Sequence, residues 1–342
     1  MFVQRRFSKR MLLTIAYKPM LYAAVWAFII FSLFQFAGFR FLRLPFLPIA
    51  TVGTAVAFYV GFKNNAAYER FWEGRKIWGG IVNESRTWVS QILAYVEPSD
   101  EDPEARAVRK RLVYRQLAWV NALRLQLRKE SRFFHQPAKG TKKRLEDHAD
   151  HMRNDWQVEV SSYLSKEESD HIKKMVNPAT HLLNEQAQEL KKLYVDKRLD
   201  LFHQIALMEI QRELYALQGK CERIKNTPFP RQYAEFSRWF TRVFVTLVPC
   251  GLLSIFPKEL VTAGRGGLSL VDLIPMLASA SLITWVFVTM EGVGDASEDP
   301  FERSINDVPM NAICRTIERD ALQLLGEEKI PDAEKPFGFV LY

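Results

Sequence analysis

Two uncharged apolar runs, residues 21–39 (LYAAVWAFIIFSLFQFAGF) and 44–62 (LPFLPIATVGTAVAFYVGF), stand almost end to end, with Arg40 and Arg43 in the short connector. Each has 19 residues. At about 1.5 Å per residue such a helix spans roughly 28 Å, which fits a hydrocarbon core of about 30 Å. Two runs joined by so little chain predict a membrane hairpin. Residues 63–236 then turn polar, rich in Arg, Lys, Glu and Gln, with apolar residues at helical spacing. Residues 104–130 place Leu112, Leu117, Val120 and Leu123 near one face, and residues 181–224 read as a second long amphipathic helix. The part between, about 131–160, reads as loop with short helices. Two further apolar runs follow, residues 239–256 and 267–290, the first carrying Arg242 and the second Asp272 and Pro275. Helices absorb such residues in a membrane when neighbours satisfy them.

The pattern therefore predicts an all-α membrane protein with four spans, 21–39, 44–62, 239–256 and 267–290. The expected division is an interfacial segment at 1–19, a transmembrane hairpin at 20–62, and a cytosolic helical domain at 63–236. A second transmembrane pair at 237–292 and a cytosolic segment at 293–342 complete it. An even number of spans puts both termini on one side. Lys and Arg bias sets which side. Arg5, Arg6, Lys9, Arg10 and Lys18 precede the first span, and Lys63, Arg70, Arg75 and Lys76 follow the second. Both groups are expected in the cytoplasm, against the contrary pull of Arg40 and Arg43. The first apolar run is followed by no small-residue cleavage site, so it is not read as a signal peptide; the expected location is a membrane, with the polar part on its cytoplasmic side.

Composition adds little to this picture. The mean hydropathy of −0.13 suits a mixture of membrane helices and a polar helical part. An excess of 47 Lys and Arg over 39 Asp and Glu fits a surface of anionic lipid. No nucleic-acid motif accompanies it. Cys221, Cys250 and Cys314 are far apart and odd in number, which gives no disulfide framework and no zinc spacing.

Within the second run, Thr54, Phe58 and Phe62 recur every four residues and share a helix face. Gly53, Ala57 and Gly61 form a neighbouring stripe of small residues, a pattern that lets helices approach closely in lipid. In a ring of identical helices the small stripes would touch and the aromatic stripe would face the axis. That makes a narrow apolar constriction of the kind that gates by excluding water. The same rings also fit a lipid-facing or core position. The next stretch, GFKNNAAYERFWEGRKIWGGIVNESRTW (61–88), is dense in polar groups that need partners. Glu69 with Glu73 and Lys76, and Arg70 with Glu73, lie at helical spacing there.

That stretch resembles the bacterial branch of the bestrophins. ERIKNTPFPRQYAEF (222–236) and EDPFERSINDVPMNAICRTIERD (298–320) resemble two further family segments, in the expected order. The resemblance implies a homopentameric ion channel with one central pore, its partners being copies of itself, membrane lipid and small inorganic ions. It places the pore neck at Thr54, Phe58 and Phe62. Family members usually carry three bulky apolar residues there, so Thr54 implies a wider or wetter upper ring. A second constriction at the cytosolic mouth falls near 176–183, with Val176, Asn177, Ala179 and Leu182 as candidates. Animal members bind calcium after the Pro-Phe pair. Here only Asn306 and Asp307 look like hard-cation ligands, whereas calcium prefers six or more oxygens including several carboxylates. No other cofactor is implied.

Other constellations point less far. Asp147, His148, Asp150 and His151 form a DHADH cluster that suits either a transition metal or a solvated face. His171, His181 and His203 sit in amphipathic stretches. No phosphate loop, no Ser-His-Asp order and no HExxH occurs. The expected function is passive conduction of small monovalent ions, with anions such as chloride favoured by the basic balance. Cation conduction on the same fold is the alternative. A non-channel membrane sensor or interfacial enzyme is the rival class.

Overall fold

The computed structural model describes residues 1–96, 102–129, 151–256 and 270–342. Among them the chain is helical throughout and forms no sheet, with two isolated bridges near the chain ends. Ten α-helices can be numbered: α1 Lys9–Gln35, α2 Phe46–Tyr95, α3 Pro103–Leu127, α4 Trp156–Glu159 and α5 Lys166–Lys173, then α6 Pro178–Val195, α7 Leu201–Asn226, α8 Arg231–Leu252, α9 Leu270–Asp295 and α10 Met310–Leu324. They divide into two compact units. An apolar unit holds Gln4–Glu69 and Phe229–Glu298; a polar unit holds Met1–Val3, Arg70–Pro228 and Asp299–Tyr342.

In the apolar unit α1, α8, α9 and the first part of α2 share a core that includes Ala27, Phe31, Val56, Val60, Phe244 and Met276. Trp26 donates its indole N–H to the carbonyl of Thr246 at 3.0 Å, and Ser281 donates to Met20 at 3.1 Å. Among the described residues three helices are long and apolar enough to cross a membrane: α1, α2 and the stretch Leu273–Asp295 of α9. Helix α8 lacks that character because Arg231, Glu235, Arg238 and Arg242 crowd its first half. The expected separate segment at 1–19 is not seen. Ser8 caps α1 by accepting from the N–H of Met11, and the helix runs on through Pro19 without a break.

The polar unit is organised about α3. Sequence periodicity predicted one buried stripe there, but from Leu112 onward α3 is buried nearly all round, and Arg109, Arg115 and Arg124 are buried with it. For Arg124 the cost of burying charge is met by a hydrogen bond from every guanidinium nitrogen. Arg124 donates to Glu159 at 2.8 Å, to Asn311 at 2.7 Å and to the carbonyl of Arg153 at 2.8 Å. A relay of buried amides joins four helices. Gln116 donates to Ser85 at 3.0 Å, Gln186 to Gln116 at 3.1 Å, and Gln211 to Gln186 at 3.2 Å. The single helix expected over 181–224 is two. Lys197 takes a positive φ of 59° and Asp200 caps α7 by accepting from the N–H groups of Phe202 and His203. A left-handed residue followed by a strong cap stops one helix and starts the next. All three cysteines are buried and free.

Removing Arg124 leaves the Glu159 carboxylate without this buried donor. Arg124→Ala is expected to cost about 3–5 kcal/mol, whereas Arg86→Ala, which breaks the exposed pair with Asp320, should cost about 0–1 kcal/mol. Thermal unfolding of the two purified variants beside the parent protein checks the difference.

Candidate functional site

Successive residues of a helix turn by about 100°, so Leu47, Thr51, Thr54, Phe58, Phe62, Asn65 and Glu69 fall within roughly 40° of one line along α2. All seven are exposed. Phe58 and Phe62 are 66% and 68% exposed, large apolar rings turned out of the apolar unit. Thr54 lies on the same line, but its hydroxyl donates to the carbonyl of Ala50 at 3.1 Å, and Thr51 donates likewise to Leu47 at 3.0 Å. The Thr54 hydrogen is therefore spent inside the helix, and the residue offers outward a methyl group and lone pairs.

Beside this line the apolar unit carries an open trough of 810 Å³. Its α2 wall holds both the small residues Ala50, Gly53, Ala57 and Gly61 and the line residues Thr54, Phe58, Phe62 and Asn65, while Phe244 comes from α8, and Ile283 and Phe287 from α9. The expected role of the small stripe divides here. A Cβ on Gly53 would stand 2.6 Å from the Phe244 ring, so Gly53 serves packing within the chain. Gly61 has nothing within 4 Å and stays open.

At the residue directly after Phe62 the sequence reading missed a cluster. Lys63 is fully buried, its ammonium 3.0 Å from Glu291, 3.1 Å from Asp295 and 3.2 Å from Glu298. Arg238 reaches Asp295 as well, at 3.2 Å. Neighbouring Asn64 donates to the carbonyl of Met290 at 2.8 Å, and Gly294 leaves it room, since a Cβ there would meet the Asn64 oxygen at 2.1 Å. The legible signal was the i, i+4, i+7 run of Glu291, Asp295 and Glu298 at the end of an apolar stretch. Lys63 was counted instead as a free cytoplasmic charge.

In the polar unit the three family-like segments meet. Arg70 donates to the carbonyls of Ile224 and Thr227 at 2.6 Å each and lies 3.5 Å from Asp299. Its expected pairing with Glu73 is not made, because Glu73 pairs with Arg223. Gly74 packs under Phe301, Lys225 pairs with Glu302, and Phe301 is buried. Of the proposed second constriction, Ala179 and Leu182 are buried in the core of this unit, which removes them as lining groups. Val176 is 97% exposed. Asn177 beside it caps α6 and donates to Glu222 at 2.8 Å.

Asn306 and Asp307 do not fit calcium. Asp307 is buried with Arg128 beside it, and burial pushes its carboxyl up to about 7 while Arg128 opposes this. A hard cation needs several ionised oxygens, and among the described residues no cluster of three His, Cys, Asp or Glu is able to hold a metal. The His151 ring stacks on Phe337 at 3.9 Å. The other members of the DHADH cluster, Asp147, His148 and Asp150, lie outside the described residues, as does the Asp272 side chain.

The profile of the bacterial/fungal bestrophin proteins matches residues 3–323. The chain is 27% identical over 292 residues to the voltage-dependent anion channel-forming protein YneE of Escherichia coli (strain K12), covering 85% of this chain and 80% of that one. It is 25% identical to a voltage-dependent anion channel-forming protein of Mesorhizobium japonicum, covering 93% and 89%. A crystal structure of a bacterial bestrophin homologue from Klebsiella pneumoniae is 24% identical, with a TM-score of 0.74 over 91% of this chain and 98% of that one. At that identity the likeness speaks for the fold.

Two outcomes follow from the buried charges. Lys63→Ala removes the buried ammonium that three carboxylates share, and should destabilise by about 3–5 kcal/mol, part of which Lys63→Met combined with Glu298→Gln recovers; thermal melts of both variants check it. For Asp307, the unfolded carboxyl loses its proton near pH 4, as is usual for Asp, while the folded one keeps it to about 7. The folded state binds more protons between these values, so stability falls as pH rises from 4 to 7 and levels above. Asp307→Asn should flatten that slope in melting temperatures measured across the same range.

Proposed function

This chain belongs to the bacterial/fungal bestrophin family, and on that premise we propose that it forms an anion-conducting membrane channel. The observation that carries the reading is the outward line of α2. Phe58 and Phe62 are two-thirds exposed on a helix able to span a bilayer, beside an open small-residue trough. In a ring of five copies the small-residue stripe of α2 packs against the neighbouring subunit and the aromatic line faces the axis.

Thr54, Phe58 and Phe62 then line the neck. The edges of the two aromatic rings carry partial positive charge and assist an anion shedding water. Thr54 contributes no hydroxyl donor, since its hydrogen goes to Ala50; its ring is wider than a third aromatic one. Val176, with Asn177 beside it, is the candidate for a second narrow point. The family and the named anion channels among the relatives support a channel rather than an enzyme. The reading includes four spans, with α8 as the third where neighbours shield its charges. Both termini lie in the cytoplasm, and the bacterial inner membrane is the location.

Reversal potentials across a planar bilayer with a salt gradient test this reading, and the size of the detergent-solubilised particle tests the ring. Chloride-selective current from a pentamer is expected. Phe58→Ala and Phe62→Ala should each raise single-channel conductance; unchanged currents in both variants would remove these residues from the neck.

A further inference from the structure

Below the aromatic pair the exposed line of α2 continues with Asn65 and then Glu69. Glu69 lies seven positions beyond Phe62, about 10 Å along the helix at about 1.5 Å per residue. The other carboxylates nearby are answered by cations: Glu291, Asp295 and Glu298 by Lys63, and Glu235 by Arg238. Glu69 has no cation beside it among the described residues. Its recorded partner is the side-chain amide of Asn65, which donates to the Glu69 carboxylate at 2.9 Å.

This bond has a chemical consequence. An amide presents a donor end and an acceptor end, and an anion is held by donors. The carboxylate engages one of the two hydrogens of the Asn65 amide, so that donor is withheld from an anion. A carboxylate accepts and repels anions by charge. Repeated around a ring, such a group is the kind that sets ion selectivity.

We propose that Glu69 is a specificity-determining residue that restrains anion passage, by its own charge and by holding the Asn65 amide. The proposal rests on the reading of the α2 line as the pore lining, and it separates two contributions. Glu69→Gln removes the charge but keeps an oxygen that accepts from Asn65. Glu69→Ala removes both. Glu69→Asp keeps the charge, and Glu235→Gln makes the same change of net charge away from the line.

The test is the chloride-to-potassium permeability ratio from reversal potentials of the reconstituted full-length protein. Glu69→Gln is expected to raise the ratio about tenfold at low salt, and Glu69→Ala to raise it further by freeing the Asn65 donor. Glu69→Asp and Glu235→Gln should stay at the parent value. The gain from Glu69→Gln should shrink in 1 M salt, where charges are screened beyond about 3 Å. Parent-like ratios for both Glu69→Gln and Glu69→Ala, in a channel whose conductance Phe62→Ala does change, overturn the role of Glu69 alone. If Phe58→Ala and Phe62→Ala also change nothing, the pore-lining reading falls, and this proposal with it.

Discussion

A lysine ammonium cannot be buried without anions, and that constraint fixes how α2 stands in the apolar unit. Lys63 lies about 140° round the helix from Phe58, at about 100° per residue. Three carboxylates at the end of α9 and beyond draw Lys63 inward. With the lysine held there, the opposite face has to point out. Phe58, Phe62, Asn65 and Glu69 are exposed because Lys63 is not. The close seat of Gly294 against Asn64 serves the same end, since a side chain there would push the two helices apart.

The polar unit meets the same constraint with different means. Arg124 is enclosed by Glu159, Asn311 and a backbone carbonyl, and the amides of Gln116, Gln186 and Gln211 are linked donor to acceptor in a chain. Buried polar groups of this kind are costly when one partner is lost and specify the packing when all are present. Arg70 belongs to this set. Its guanidinium takes the carbonyls at the end of α7, ground where a helix leaves its last carbonyls unpaired.

Family membership and geometry bear on different parts of the function. The named anion channels among the relatives speak for conduction and for its sign. The outward line of α2 speaks for which side chains an ion would meet. Its composition is mixed: aromatic rings whose edges favour anions, then an unanswered carboxylate that does not. A pore that combines the two lets selectivity be set by a small number of positions along one helix.

Much of the architecture was legible in the chain. The apolar runs marked α1, the first part of α2 and α9, because length and hydropathy are local properties. The spacing of Thr54, Phe58 and Phe62 put them on one face, and the three family-like segments were found in order. Burial of α3 was not legible, since its arginines look solvent-seeking until Glu159 and Asn311 arrive from elsewhere in the chain. The break between α6 and α7 was hidden because VDKRLD keeps helical composition while Lys197 adopts a left-handed turn. Ala179 and Leu182 went from candidate lining to core for the same reason: which face of a helix is covered depends on its neighbours. The sequence by itself determined that α2 has an aromatic line, because periodicity is written in the order of residues. Only the tertiary structure decided that the line points outward, because that depends on Lys63 finding three carboxylates more than two hundred positions away.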